Sequence, residues 1–88
     1  MHKTDANHRE IAQALRDAMC SVVDLSAVGG GCPDLLVARA GKNYLLEIKN
    51  GKRSKLTGAQ PEFHRLWRGQ IAVVRTKDEA LRAVGLLA

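Results

Sequence analysis

Three residue types that work together on phosphates and metal ions fall close in this chain: Asp34, Glu47 and Lys49. Residues 35–39 (LLVAR) and 44–49 (YLLEIK) are short apolar runs joined by Ala40, Gly41, Lys42 and Asn43, the pattern of a β-hairpin. If Gly41 and Lys42 are the central turn residues, Asp34 faces Lys49 and Leu36 faces Glu47. Strands alternate with period two, so these four side chains then share one sheet face. Asp34 and Glu47 become diagonal neighbours about 7–8 Å apart at the backbone, with their tips closer.

Two carboxylates at the rim of an apolar face repel each other and lose hydration, which costs free energy unless positive charge answers them. Lys49 supplies part of that charge. A hard divalent cation such as Mg²⁺ would supply the rest, because it takes one or two carboxylates, a backbone carbonyl, waters and a substrate phosphate. A plain ion pair between Lys49 and one carboxylate is the other reading of the same residues.

The elements that must position this group can be read from periodicity. Ile11, Ala14, Leu15, Ala18 and Met19 recur at helical spacing, which predicts an amphipathic helix over 5–19. A Val-rich strand over 21–25 and a flexible loop at Gly29, Gly30 and Gly31 precede Pro33 and Asp34. Both hairpin strands are apolar on both faces, as in a sheet lying between helices. After the basic loop 50–55 (NGKRSK) a helix is expected with Phe63, Leu66 and Trp67 inward. A strand over 70–76 follows, and the helix-containing connection allows it to run parallel to the previous strand. Thr76-Lys77-Asp78-Glu79 is a capping box opening a last helix. The predicted order is αβββαβα, without repeat or linker, in one domain over 1–88.

The chain has 88 residues, and 14 Lys and Arg against 9 Asp and Glu give a net charge of +5. That excess favours polyanions, nucleic acid first, through counterion release. Only Tyr44, Phe63 and Trp67 are aromatic, too few for base-stacking platforms, which favours phosphate contacts or duplex shape. No apolar run is long enough to span a membrane and the start is not a secretory signal, so a cytoplasmic protein is expected. Cys20 and Cys32 lack metal-ligand spacing and read as reduced packing residues. Gly41-Lys42-Asn43 and Gly51-Lys52-Arg53 lack the rest of a P-loop, so no nucleotide cofactor is expected.

Pro33-Asp34, twelve intervening residues and Glu47-Ile48-Lys49 resemble the PD-(D/E)xK nuclease motif, and the αβββαβ order resembles that superfamily's restriction-endonuclease-like core. The Gly-rich approach to Pro33-Asp34 and the later Leu56-Thr57-Gly58-Ala59-Gln60 are similar to the VRR-NUC (virus-type replication-repair nuclease) domain of small stand-alone phage proteins. The resemblance spans nearly the whole chain. It implies an α/β fold with a mixed four-stranded sheet flanked by helices. It also implies a Mg²⁺-dependent DNA endonuclease, with Mn²⁺ able to substitute, leaving a 5′-phosphate and a 3′-hydroxyl. Asp34, Glu47 and the Ile48 carbonyl would hold the metal, and Lys49 would orient water and stabilise charge on the phosphate.

The same resemblance offers Glu10 of the first helix as a further catalytic and metal-binding acid, although Asn7-His8-Arg9-Glu10 also fits a capping box. Gln60 matches a family glutamine near the substrate phosphate, with Thr57-Gly58-Ala59-Gln60 as a rival capping box. Gln60, His64 and Arg68 recur every four residues and would project from one helix face toward DNA. Lys52, Arg53 and Lys55 stand where a phosphate backbone would pass. Stand-alone members resemble Holliday-junction resolvases, which implies branched duplex DNA as partner, a homodimer with two sites on a two-fold substrate, and phage or prophage origin. Leu86 and Leu87, apolar at a terminus, fit a dimer contact. The competing expectations are a catalytically silent nucleic-acid-binding module and a plain interaction domain.

Overall fold

The computed structural model describes residues 3–87. Helix α1 (Lys3–Asp17) is followed by β1 (Ser21–Asp24), β2 (Leu35–Arg39), β3 (Lys42–Ile48), α2 (Gln60–Leu66), β4 (Gln70–Val74) and α3 (Lys77–Ala83). The strands form one sheet in the order β1-β2-β3-β4, antiparallel except for the parallel pair β3 and β4. The expected αβββαβα order and mixed four-stranded sheet are thus present. The connection through α2 provides the length a parallel crossover requires.

Alternation along the strands divides the sheet into two unlike faces. Leu35, Val37, Leu46, Ile48 and Val74 point to one face, where Ile11 and Leu15 of α1 and Ala80 of α3, with Val84 just beyond it, close a continuous core. The other face carries Leu36, Leu45 and Glu47. There Leu36, Leu45 and Trp67 line a shallow cavity, while Val23, Leu66 and Trp67 are 51%, 59% and 46% exposed. The expectation that Leu66 and Trp67 point inward is therefore corrected. Helix α2 stops at Leu66, Trp67 is extended, and its ring stacks on Phe63 at 5.4 Å.

The hairpin turn also lies one residue earlier than expected, which shifts the strand pairing by two. Ala40 and Gly41, at φ 51° and 78°, are the central turn residues, and Leu35 faces Leu46 while Arg39 faces Lys42. Two positive φ values make a turn whose twist matches the strands, and this register places them on Ala40 and Gly41 instead of on Lys42. A slip of two residues leaves every side chain on its expected face but changes its partner. Asp34 thus lies opposite Glu47 instead of opposite Lys49.

Thr76 caps α3 as expected: its hydroxyl accepts from the Glu79 N–H at 3.1 Å. The Glu79 carboxylate reaches back one residue further than a capping box requires, accepting the Arg75 N–H at 2.7 Å. The capping box expected at Asn7 is corrected, because α1 already runs through that residue and the Asn7 amide donates to the Arg75 carbonyl at 3.3 Å.

Candidate active site

The site forms where β2 begins and β3 ends. The Asp34 carboxylate accepts the Ile48 N–H at 2.7 Å, which fixes its orientation just beyond the last ladder pair. In an extended strand the N–H and C=O of one residue point the same way, so the Ile48 carbonyl is directed toward Asp34 as well. Glu47 is 2% exposed, the one buried charged residue among those described, and its Oε1 has no hydrogen-bond partner. Burial first, then a hydrogen bond to Asp34 and that residue's charge, push the Glu47 carboxyl up to about 8, with Lys49 acting against them.

Lys49 is held from the other side. Its N–H donates to the Val74 carbonyl at 3.0 Å, which continues the parallel ladder. Its ammonium donates to Gln60 Oε1 at 2.8 Å, and the same oxygen accepts the Thr57 N–H at 2.9 Å. Gln60 therefore makes the backward half of the expected capping contact while also fixing Lys49. His64, one turn further along α2, is half-buried with its Nε2 unpartnered. Burial, and then the nearby Lys49 charge, lower its affinity for a second proton.

The glycine loop and the start of α2 are locked together at one point. Gly31 has φ +81°, and a Cβ there would meet the Ala59 carbonyl oxygen at 2.4 Å. Only glycine permits this approach, which sets the segment leading to Asp34 against the turn carrying Gln60. Cys32 lies close enough for Glu47 and Asp34 to add to the burial that raises its thiol pKa. The sequence signal for this corner is the run Gly31-Cys32-Pro33-Asp34, in which the glycine allows the close approach and Cys32 lies beside the two acids. Cys20 and Cys32 are both free thiols, and Cys20 is buried in the core.

Two candidate residues are not brought to this group. Glu10 is exposed on α1 and lines a depression with Gln13, Ala14, Asp17 and Lys77. The helix commits Ile11, Ala12 and Leu15 to the core, so the position before Ile11 is turned toward α3. Arg68 lies beyond the end of α2, so the expected Gln60-His64-Arg68 face is shortened to Gln60 and His64. Lys52, Arg53 and Lys55 are exposed, and Lys55 lines a cleft of about 370 Å³ with Ile48, Lys49, Asn50, Ser54 and Thr57.

The donor set suits a hard divalent cation. A buried carboxylate oxygen without a partner lies beside a second, oriented carboxylate and a carbonyl directed the same way. Among the described residues no cluster of three or more His, Cys, Asp and Glu side chains is placed to hold a metal. The other positions would therefore fall to main-chain, water or phosphate oxygens, as Mg²⁺ commonly prefers.

A family model described as archaeal Holliday junction resolvase (Hjc) matches residues 1–76. The chain belongs to the Hjc family. No curated protein matches it in sequence. A solved structure titled "VRR_NUC domain" superposes with a TM-score of 0.79 at 22% identity, over 96% of each chain, which establishes the shared fold. The Hjc match includes Asp34, Glu47, Lys49 and Gln60 and stops short of α3. The chain is thus an Hjc-family domain with the fold of a VRR_NUC domain. None of the helices among its described residues is long and apolar enough to cross a membrane.

Proposed function

We propose that this Hjc-family chain is a metal-dependent endonuclease that hydrolyses phosphodiester bonds in branched duplex DNA, four-way junctions foremost. The observation that carries the reading is the buried, unpartnered Glu47 oxygen beside Asp34, with a lysine ammonium held at the same corner. A buried carboxylate in this state is costly in a protein with no ligand for it, and a divalent cation would remove that cost.

Asp34, Glu47 and the Ile48 carbonyl would hold the ion. When bound, Mg²⁺ or Mn²⁺ supplies Lewis acidity: it lowers the pKa of coordinated water and polarises a phosphoryl oxygen. The protein does the remaining work. The Ile48 N–H keeps the Asp34 carboxylate aimed at the site. Lys49, tethered by Gln60, places a fixed positive charge where negative charge grows on the phosphate and gives a hydrogen bond to orient the attacking water. Lys52, Arg53 and Lys55 contact the flanking backbone through phosphates, which gives affinity without base reading. His64, close to Lys49, would contact the same strand.

Two copies acting together suit a two-fold junction. Leu86 packs against the core, which leaves Leu87 as the exposed member of the expected apolar contact. The test is a panel of synthetic four-way junctions, flaps and linear duplexes with Mg²⁺ or with chelator, using wild type and Asp34→Asn. Cleavage of junctions by wild type alone, and only with metal, supports the reading. Salt-sensitive binding with no cleavage of any substrate would make the chain a binding module.

A further inference from the structure

We infer that Arg75 is a positioning residue whose guanidinium bridges the Gly51 and Ser54 carbonyls and so holds the basic loop 50–55 in its DNA-facing form. The inference rests on the proposed role of that loop in DNA binding. Arg75 follows β4 directly, and its side chain crosses to the loop. Its Nε donates to the Gly51 carbonyl at 3.0 Å and one terminal nitrogen to the Ser54 carbonyl at 2.7 Å.

The residue is itself anchored on both sides of its backbone. Its N–H donates to the Glu79 carboxylate at 2.7 Å, and its carbonyl accepts the Asn7 amide at 3.3 Å. The preceding Val74 carbonyl accepts the Lys49 N–H, so the base of the clamp and the base of the candidate site share one strand end. The loop closes on itself as well, with the Ser54 hydroxyl donating to the Asn50 carbonyl.

The electrostatics explain why a clamp is required. Lys52, Arg53 and Lys55 crowd three exposed cations into four residues, and their mutual repulsion favours opening the loop. Arg75 adds a fourth cation nearby, but two of its donors are turned onto carbonyl oxygens of the loop. Its charge is therefore used to close the loop, and the other three side chains are left facing solvent. A guanidinium can make two divergent hydrogen bonds from a rigid fork, whereas an ammonium is a single point on a flexible stem.

Arg75→Lys keeps the net charge and removes the fork, so it separates clamping from simple attraction to DNA. The loop carries its own trypsin sites, which gives a readout independent of activity. In the full chain, Arg75→Lys should be cut after Lys52, Arg53 or Lys55 about tenfold faster or more, the scale of one lost charge-assisted hydrogen bond. Tryptic rates elsewhere should stay at the wild-type value. In the junction assay KM should rise several-fold with kcat within about twofold, because ground-state and transition-state binding are lost together. Wild-type tryptic rates in the variant would overturn the inference, and so would faster loop cleavage with unchanged KM. If wild type itself cuts no DNA, the nuclease reading fails while the tryptic comparison still decides the clamp. Should the variant not fold, NMR of wild type decides: a slowly exchanging Arg75 Nε–H supports the bridge, and a rapidly exchanging one overturns it.

Discussion

Replacing Glu47 by Gln should make the metal-free protein more stable at neutral and alkaline pH, although it removes a residue proposed to be essential. Glu47 is 2% exposed, and burial together with Asp34 raises its carboxyl from 4.5 to about 8. Below pH 4.5 the folded and unfolded chains both carry the proton. Between about 4.5 and 8 the unfolded chain releases it while the folded chain keeps it, so stability falls as pH rises, and above about 8 the loss is complete. At ~1.4 kcal/mol per pH unit this interval corresponds to a ceiling on the order of 5 kcal/mol, a large part of the roughly 5–15 kcal/mol that holds a domain together. Glutamine has nearly the same shape and no charge, so it lacks this dependence. Urea unfolding of both proteins in chelator from pH 5 to pH 9 gives the difference directly, because contributions from groups that do not interact with Glu47 cancel. The wild type should lose several kcal/mol relative to Glu47→Gln over that range and then level off. Parallel stability curves would refute the reasoning. Adding Mg²⁺ should restore stability to wild type and leave the variant unmoved.

Three other changes test separate parts of the structure. Ala40 occupies φ 51° in the hairpin turn, where a Cβ costs roughly 1–2 kcal/mol, partly offset by the greater freedom glycine gives the unfolded chain, so Ala40→Gly should raise the thermal midpoint by a few degrees; a lowered midpoint would contradict the turn assignment. Gly31→Ala should destabilise the fold by about 2 kcal/mol or more, since its Cβ would meet the Ala59 carbonyl at 2.4 Å in a left-handed conformation, and chemical denaturation reads the loss. Lys52→Ala with Arg53→Ala should weaken binding equally on all sequences and reduce the slope of log K against log salt by about 2. An unchanged slope would move the DNA path elsewhere.

Much of this architecture was legible because hydrophobic periodicity and caps act locally. The Thr76 cap, the α1 stripe of Ile11 and Leu15, and the apolar strands around Leu46 and Val74 all follow from neighbours within a few residues. The hairpin register was not, since Ala40-Gly41 and Gly41-Lys42 are both two-residue turns, and the choice between them depends on which residues bear positive φ. The slip leaves the faces intact, so Asp34 and Glu47 stay grouped on one face although their cross-strand partners change. The inward placement of Leu66 and Trp67 failed because α2 ends early and its sheet face is only partly covered. Glu10 could not be placed from its own helix, because the direction it faces is set by how α1 packs against α3. The hold of Gln60 on Lys49, and the approach of Gly31 to Ala59, join segments whose proximity exists only once the crossover has formed.

The central claim is that Asp34 and Glu47 form a divalent cation site in which Glu47 must give up its proton. Calorimetric titration with Mn²⁺ at pH 7, repeated in buffers of different ionisation enthalpy, measures both the binding and the protons released. Saturable binding with nearly one proton released per ion by wild type, and its loss in Asp34→Asn, is the expected result. Binding of equal strength in the variant, or none in wild type even with junction DNA present, would contradict it.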